Sequence, residues 1–481
     1  FEDRIPALIV DGLNGEEKKA ILEKLVTLAN IEFIKHYENR SCAALFSAQV
    51  IDFMKLLGKT VEDVIVGRNT GIRYSAVEMD NLFHNIKYLC EGSITTQLCD
   101  IIPTDIPAII VSAGPSLNKN IMELKRAKNK AFIVAVDTAV RPLVNAGIIP
   151  DMYVIVDGLK PKELLDFDEA KRIPLMPSIT STKEILENHT GKKIFWFEGQ
   201  RFIWSMMMMN GVPFSTVACG GSVACSAFSL VYKLGFSRII LVGQDLALTG
   251  NKTHADGTFK SIMDEIDTSR CIKVPGNYEE EVPTRGDFKL YLDWFNYYIK
   301  GCEGIHVINA TEGGAKIDNT EIMTLHDAIM RECIKEVDID ACFEKLKPIF
   351  NAEQQHKALE YLKTFPEMYR KLKKKVIKLN KEYQKLKTIC GKSIIDKNAY
   401  LKALKNIKNL TQEIENHELY DTISCTLTVA NYIIESEQFY EEDTVAAEGL
   451  QIAKQGIAYT KMVEQCIDLF MPLTEETLLT L

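Results

Sequence analysis

No apolar run in this sequence reaches the roughly 18 residues that a helix needs to cross a bilayer. The richest stretch, Phe202 to Met209, is broken by Ser205 and stops at Asn210-Gly211. The sequence therefore predicts no membrane span and a soluble, cytoplasmic protein. Dithiol motifs are missing too. No two of the 12 cysteines (Cys42, Cys90, Cys99, Cys219, Cys225, Cys271, Cys302, Cys333, Cys342, Cys390, Cys425, Cys466) form a CxxC pair, which argues against zinc-ribbon and thiol-redox sites. A chain of 481 residues buries enough core to need no disulfide staples, so the thiols are expected to be reduced and mostly buried. An excess of positive charge is absent: 57 Lys and Arg against 66 Asp and Glu give a net charge of -9, which excludes wholesale nucleic-acid coating. With 26% charged and 46% apolar residues the composition is globular, and the length predicts two or three domains. The chain begins at Phe1 and not at Met, so further residues are expected upstream.

Periodicity divides the chain. Residues 1–100 read as an N-terminal α/β region, with helical spacing over Glu16 to Asn30 and Ala76 to Leu89. From Pro107 short β-rich runs alternate with helices. The expected strands are 107–112, 131–136, 152–156, 193–197, 238–242 and 305–308, and the expected helices are 117–128, 138–146, 182–189 and 221–234. Continuous apolar strands separated by helices predict a parallel, doubly wound, Rossmann-like domain over 101–318. Beyond Asn319 the strands stop, and only Gly391, Gly449, Gly456, Pro348, Pro366 and Pro472 punctuate a stretch expected to form a C-terminal bundle of three to five helices over 319–481. There Tyr369, Leu372, Val376, Leu379, Tyr383 and Leu386 recur at heptad spacing, in a segment with nine Lys and Arg in nineteen residues. That segment is either a solvated face or a basic docking surface.

In a doubly wound sheet, ligands sit beyond the carboxyl ends of the strands, so the turns there carry the candidate chemistry. Ser112-Ala113-Gly114-Pro115-Ser116 follows a strand and opens a helix, presenting free N–H groups to an anion. It lacks the spacing of a dinucleotide fingerprint and the Lys of a P-loop. Asp137-Thr138 and Asp157 end the next two strands, where a carboxylate can bond a ribose or hold a divalent cation, or simply cap a helix. Cys219-Gly220-Gly221-Ser222 leaves bare backbone at a helix entrance, again suited to a phosphate. Gly243-Gln244-Asp245 ends a further strand and runs into an open loop with His254.

Four blocks, SAGPSL, VDTAVRPLVNAGIIPDMYVIVDG, CGGSVACSAFSLVYKLGFSRIILVGQDLALTGNKTHADGT and NATEGGAKI, resemble the bacterial motility-associated-factor (Maf) glycosyltransferases. Those enzymes modify flagellin with nonulosonic acids such as pseudaminic or legionaminic acid in support of motility. The resemblance spans roughly residues 60–330. It implies an α/β fold with a sialyltransferase-type Rossmann core, similar to bacterial enzymes that use CMP-sialic acid and cradle CMP in a GNGPS turn. On that likeness Gly114, Pro115, Ser116, Gly220, Gly221 and Ser222 hold the nucleotide, with Asp137, Thr138, Asp157, Gln244 and Arg285 as further donor-binding candidates. The chain departs from the pattern at Ala113, which stands where the sialyltransferases have Asn. It also has no His in VPTRGDFKLYLDWF, which offers Thr284, Arg285 and Asp287 instead.

The implied reaction displaces CMP from a nonulosonic acid by a Ser or Thr hydroxyl of flagellin. It needs a base, N–H dipoles or cations at the leaving phosphate, and a cation for the sugar carboxylate. Asp245 and His254 are the candidate bases, and Arg285 or Arg141 the candidate cation. No protein-bound metal is assigned, and Mg²⁺ is the one candidate cofactor beside the CMP-activated donor. Two other readings have specific motives. The block from VAVDTAV to VIVDG also resembles archaeal-type, MptE-like 6-hydroxymethylpterin pyrophosphokinases, which use ATP with Mg²⁺ but lack a long helical tail. A non-catalytic flagellin-binding protein is the third.

Overall fold

The computed structural model describes residues 15–26, 31, 34, 44–197, 199–259, 268, 271–424, 426–427 and 444–480. Packing divides the chain into two compact units, one of Val77–Leu362 and one combining segments 1–76 and 363–479.

The first unit is built on a sheet of seven parallel strands. Its strands are β2 (Ala108–Val111), β3 (Phe132–Val136), β4 (Met152–Ile155), β5 (Leu175–Pro177), β7 (Arg238–Val242), β10 (His306–Asn309) and β11 (Glu321–Ile322). They lie in the order β11-β10-β7-β2-β3-β4-β5. Every residue of β2, β3 and β4 is buried, as expected of Ile- and Val-rich strands covered on both faces. The chain walks outward from β2 to β5, then returns to β7 on the other side of β2. The order thus reverses between β2 and β7, where a doubly wound sheet opens its crevice. Two small sheets complete the unit: β1 (Ser93–Ile94) parallel to β6 (Ile194–Phe195), and the hairpin of β8 (Ile272–Val274) with β9 (Val282–Thr284).

The expected boundaries at 100 and 318 both fall inside this unit, for a packing reason. Asn81 and Asn85, on the helix Ser47–Glu91, donate their amides to the carbonyls of Gly158, Thr180, Ile179 and Ser181 at 2.7–3.1 Å. At the other end Phe343 packs on Phe132 of β3 with ring centroids 6.3 Å apart, and Arg238 pairs with Glu332. β11 also lies beyond Asn319, where no strand was expected. The helix expected over 117–128 is one α-turn, Leu117–Asn120, followed by a 3₁₀ segment, Ile121–Arg126. Asn120 breaks it, with its amide turned to Ala310 O and Glu312 Oε1. The 193–197 run forms β6 outside the main sheet, joined to the β5 segment by isolated bridges alone.

The second unit is helical: Gly15–Leu25, the early part of Ser47–Glu91, Phe365–Cys390, Lys397–Glu415, Tyr420–Ser424 and Val445–Thr480. The heptad seam is buried at Tyr369, Leu372, Val376, Leu379 and Leu386. Tyr383 lies against Gly456, where an added Cβ would come within 2.2 Å of its ring. Residues 27–30 of the first expected helix lie outside the described residues, as do Cys42 and Cys425. The ten described cysteines are free thiols, five of them buried, with Cys99 and Cys219 exposed. Among the described residues no helix is long and apolar enough to cross a membrane.

Candidate functional site

The turns after β2 and β7 meet at the crevice. Ser112 N–H donates to Val242 O at 2.8 Å and Gly114 N–H to Gly243 O at 2.8 Å, extending the strand pairing beyond both strand ends. The Ser112 hydroxyl bonds Gln244 Oε1. Asp245 accepts the Ser116 N–H at 3.1 Å on one oxygen and the Ser116 hydroxyl at 2.5 Å on the other. It is only 2% exposed, and burial pushes its carboxyl above the usual range despite the Ser116 bonds. Gly114 is required here, since a Cβ would stand 2.1 Å from Asp245 Oδ1 and 2.4 Å from Gly243 O. Gly114 is half-buried, and Pro115 and Ser116 beside it are buried.

Two further loops close on this crossing. Ala255 N–H donates to Ala113 O at 2.8 Å, and Asp256 N–H to Asn118 Oδ1 at 3.0 Å, which hooks the His254 loop to the first turn. His254 is half-buried, and its Nδ1 lies 2.9 Å from Thr253 Oγ1. From the loop after β10, Thr311 Oγ1 accepts Gln244 N–H at 3.0 Å and Ala315 N–H donates to Asp245 O at 2.7 Å. Asn309 Oδ1 holds Thr311 N–H at 3.1 Å, and Asn277 spans Asn309 and Gly313. The turns read from the sequence at Gly114, Asp245 and His254 are therefore one polar cluster.

The second glycine turn is built differently. The helix Val223–Lys233 runs through Gly235 straight into β7, so it is antiparallel to that strand and its N-terminus lies at the carboxyl edge of the sheet. Ser222 caps it, its hydroxyl accepting Cys225 N–H at 3.3 Å. Gly221 has φ +80, a conformation that favours glycine. Cys219 and Gly221 are exposed. The helix Gly286–Gly301 supplies the turn's neighbours. A Cβ on Gly220 would meet the Trp294 ring at 2.5 Å, and one on Gly221 the Tyr291 ring at 3.1 Å. Trp294 stacks on Tyr298 at 4.5 Å, and Tyr298 bonds Ser229 at 3.0 Å.

Arg285 stands at the start of that same helix, bonded through Nε to Asp287 Oδ1 at 3.0 Å and through a second nitrogen to Oδ2. The Asp287 carboxylate raises its pKa, and the guanidinium lies over the Phe288 ring at 4.6 Å. Thr284, just before it, donates to Leu246 O at 2.7 Å, tying this segment to the loop after Asp245. Arg141 is committed elsewhere, to the carbonyls of Glu163 and Leu164 and the face of Phe167. Asp137 is buried in an ion pair with Lys160 at 2.9 Å and accepts Thr138 N–H at 2.7 Å. Asp157 accepts Leu159 N–H at 2.8 Å in a local turn. Among the described residues no group of three or more His, Cys, Asp and Glu could hold a metal ion.

Sequence reasoning passed over Tyr291, Trp294, Thr311 and Asn309. The first two belong to an aromatic series, Phe288, Tyr291, Trp294 and Tyr298, at spacings of 3, 3 and 4, which marks one helix face.

The family model described as 6-hydroxymethylpterin diphosphokinase MptE-like matches residues 80–251. That span contains the turns at Gly114, Gly220 and Asp245 but stops short of His254 and Arg285. An uncharacterized protein of Treponema pallidum (strain Nichols) is 24% identical over 144 residues, 30% of this chain and 67% of that protein. The solved structure of a Maf glycosyltransferase from Magnetospirillum magneticum AMB-1 covers 97% of this chain and 69% of its own, with a TM-score of 0.61 at 15% identity. Residues 80–251 thus match an MptE-like family model, in a chain that shares its fold with a Maf glycosyltransferase.

Proposed function

We propose that this protein is a glycosyltransferase that moves a nonulosonic acid from a CMP-activated donor to a Ser or Thr hydroxyl of flagellin, in the cytoplasm. The observation that carries the reading is the fold shared with a Maf glycosyltransferase over 97% of the chain, with the candidate turns gathered at the carboxyl edge of the sheet. The Gly220-Gly221-Ser222 entrance, exposed at Gly221, offers its N–H groups and helix dipole to the CMP phosphate. Arg285, 42% exposed at its side chain, meets the sugar carboxylate while sharing Asp287. His254 takes the acceptor proton, and Asp245, with both oxygens bonded to Ser116, positions the first turn. In the transfer the anomeric C–O bond to CMP breaks, and CMP leaves with the electron pair. The acceptor oxygen bonds the anomeric carbon from the opposite face, and its proton passes to His254.

A thermal-shift panel of CMP, CDP, UDP, GDP and ATP, each with and without Mg²⁺, tests the nucleotide. A shift with CMP is expected. His254→Gln should lower CMP release by about 10²-fold or more while leaving CMP binding intact. The second reading, a pterin pyrophosphokinase, is favoured by the description of the family model over 80–251. A shift with ATP and Mg²⁺ and none with CMP would select it. Tight flagellin binding with no nucleotide shift at all would select a non-catalytic binding protein.

A further inference from the structure

Part of the positive charge of the basic segment in the helical unit is neutralised. On the helix Phe365–Cys390, three of the cations are paired with carboxylates of neighbouring helices. Arg370 pairs with Glu475 at 3.2 Å, Lys373 with Asp468 at 2.7 Å and Glu464 at 3.4 Å, and Lys375 with Glu413 at 3.0 Å. The crest opposite the seam is different. Lys371, Lys374, Lys378 and Lys381, at spacings of 3, 4 and 3, are all exposed and form no ion pair with the described residues. They make one stripe about 15 Å long. The adjacent helix Lys397–Glu415 adds exposed Lys402, Lys405 and Lys408. Together the two helices hold thirteen Lys and Arg against four Glu, in a chain whose net charge is -9. Like charges three and four residues apart repel, so intrahelical stability does not account for the crest.

We propose that this lysine crest is a docking surface for an acidic face of a partner protein. Charge complementarity sets the sign of the partner. Three features favour a protein over a nucleic acid or a lipid surface. The crest is all Lys, a point charge without the bidentate fork that suits phosphate. No aromatic side chain interleaves with it to stack on bases. Exposed aliphatic side chains, Ile377, Ile394 and Leu401, lie on these two helices and their connection, and they gain burial only against a partner with apolar surface of its own. The inference concerns the helical unit and does not depend on the reaction proposed above.

The test uses the full chain with poly-L-glutamate as the acidic probe, beside duplex DNA and phosphatidylglycerol vesicles. Replacing Lys371, Lys374, Lys378 and Lys381 together by Gln should weaken poly-L-glutamate binding at least tenfold, and replacing them by Arg should retain it. A control with the same change in net charge, Lys125, Lys316, Lys345 and Lys347 to Gln, should change binding less than twofold. Equal losses in the crest and control variants would overturn the proposal, because net charge alone would then explain binding. Tighter crest-dependent binding to DNA or to vesicles than to poly-L-glutamate would overturn it as well. All eight lysines are exposed, so the variants should keep the parent's thermal midpoint.

Discussion

Two glycine turns stand at the carboxyl edge of one sheet, and they differ in what surrounds them. At Gly114 the neighbours are other loops of the same crossing, and the polar groups of the turn are spent on Asp245, Gln244 and Gly243. At Gly220-Gly221 the neighbours are aromatic rings on one side, and exposed backbone remains on the other. The same sequence signature, glycine and serine at a helix entrance, thus marks an internal clasp in one case and an accessible surface in the other. A bare turn binds an anion only where the fold has not already supplied its acceptors.

This contrast is open to direct attack. The largest effect is expected from Gly114→Ala, whose Cβ would collide with Asp245 Oδ1 at 2.1 Å and Gly243 O at 2.4 Å. A loss of about 3 kcal/mol in urea unfolding is expected, and a loss under about 1 kcal/mol would show that the clasp is slack. Asp245→Ala comes next. It strands the buried Ser116 N–H and hydroxyl and should cost about 2 kcal/mol by the same measurement. Gly221→Ala and Ser222→Ala are expected to cost only about 1 kcal/mol each. Both should nevertheless abolish the nucleotide-induced thermal shift. If instead they unfold the protein while Gly114→Ala leaves it stable, the roles of the two turns are reversed.

Two further effects lie in pH dependence. Burial raises the Asp245 carboxyl above its ordinary value of 3.8, so the folded state holds that proton more tightly than the unfolded chain. Its ionisation therefore removes stability as pH rises from about 4 through the raised value. Asp245→Asn should flatten that part of the urea-midpoint profile. His189 works in the opposite sense. Burial depresses its pKa to about 3, so the stability it contributes is present above the ordinary value of 6.5 and is lost as pH falls toward 3. His189→Gln should remove that slope, and an unchanged acid limb would assign it to other groups.

The sheet was legible because its signal is local. Runs such as AIIV and FIVAV are continuous and apolar, and a strand buried on both faces needs nothing else. Leu175–Pro177 and Glu321–Ile322 escaped notice because each is an edge strand of two or three residues, too short for any period. The candidate turns were legible as positions but not as partners. Nothing in SAGPS says that its acceptors arrive from GQD, because those bonds are made across more than a hundred residues of chain. The place of the His254 loop was not legible either, because Ala255 rather than His254 fixes where that loop lies.

The pairing of Ser116 with Asp245 joins residues 129 apart in sequence. Closing a loop of that length costs entropy before the contact repays it. A nascent chain ending before β7 holds the first turn without its acceptors, and the crevice exists only once the return strand has docked beside β2.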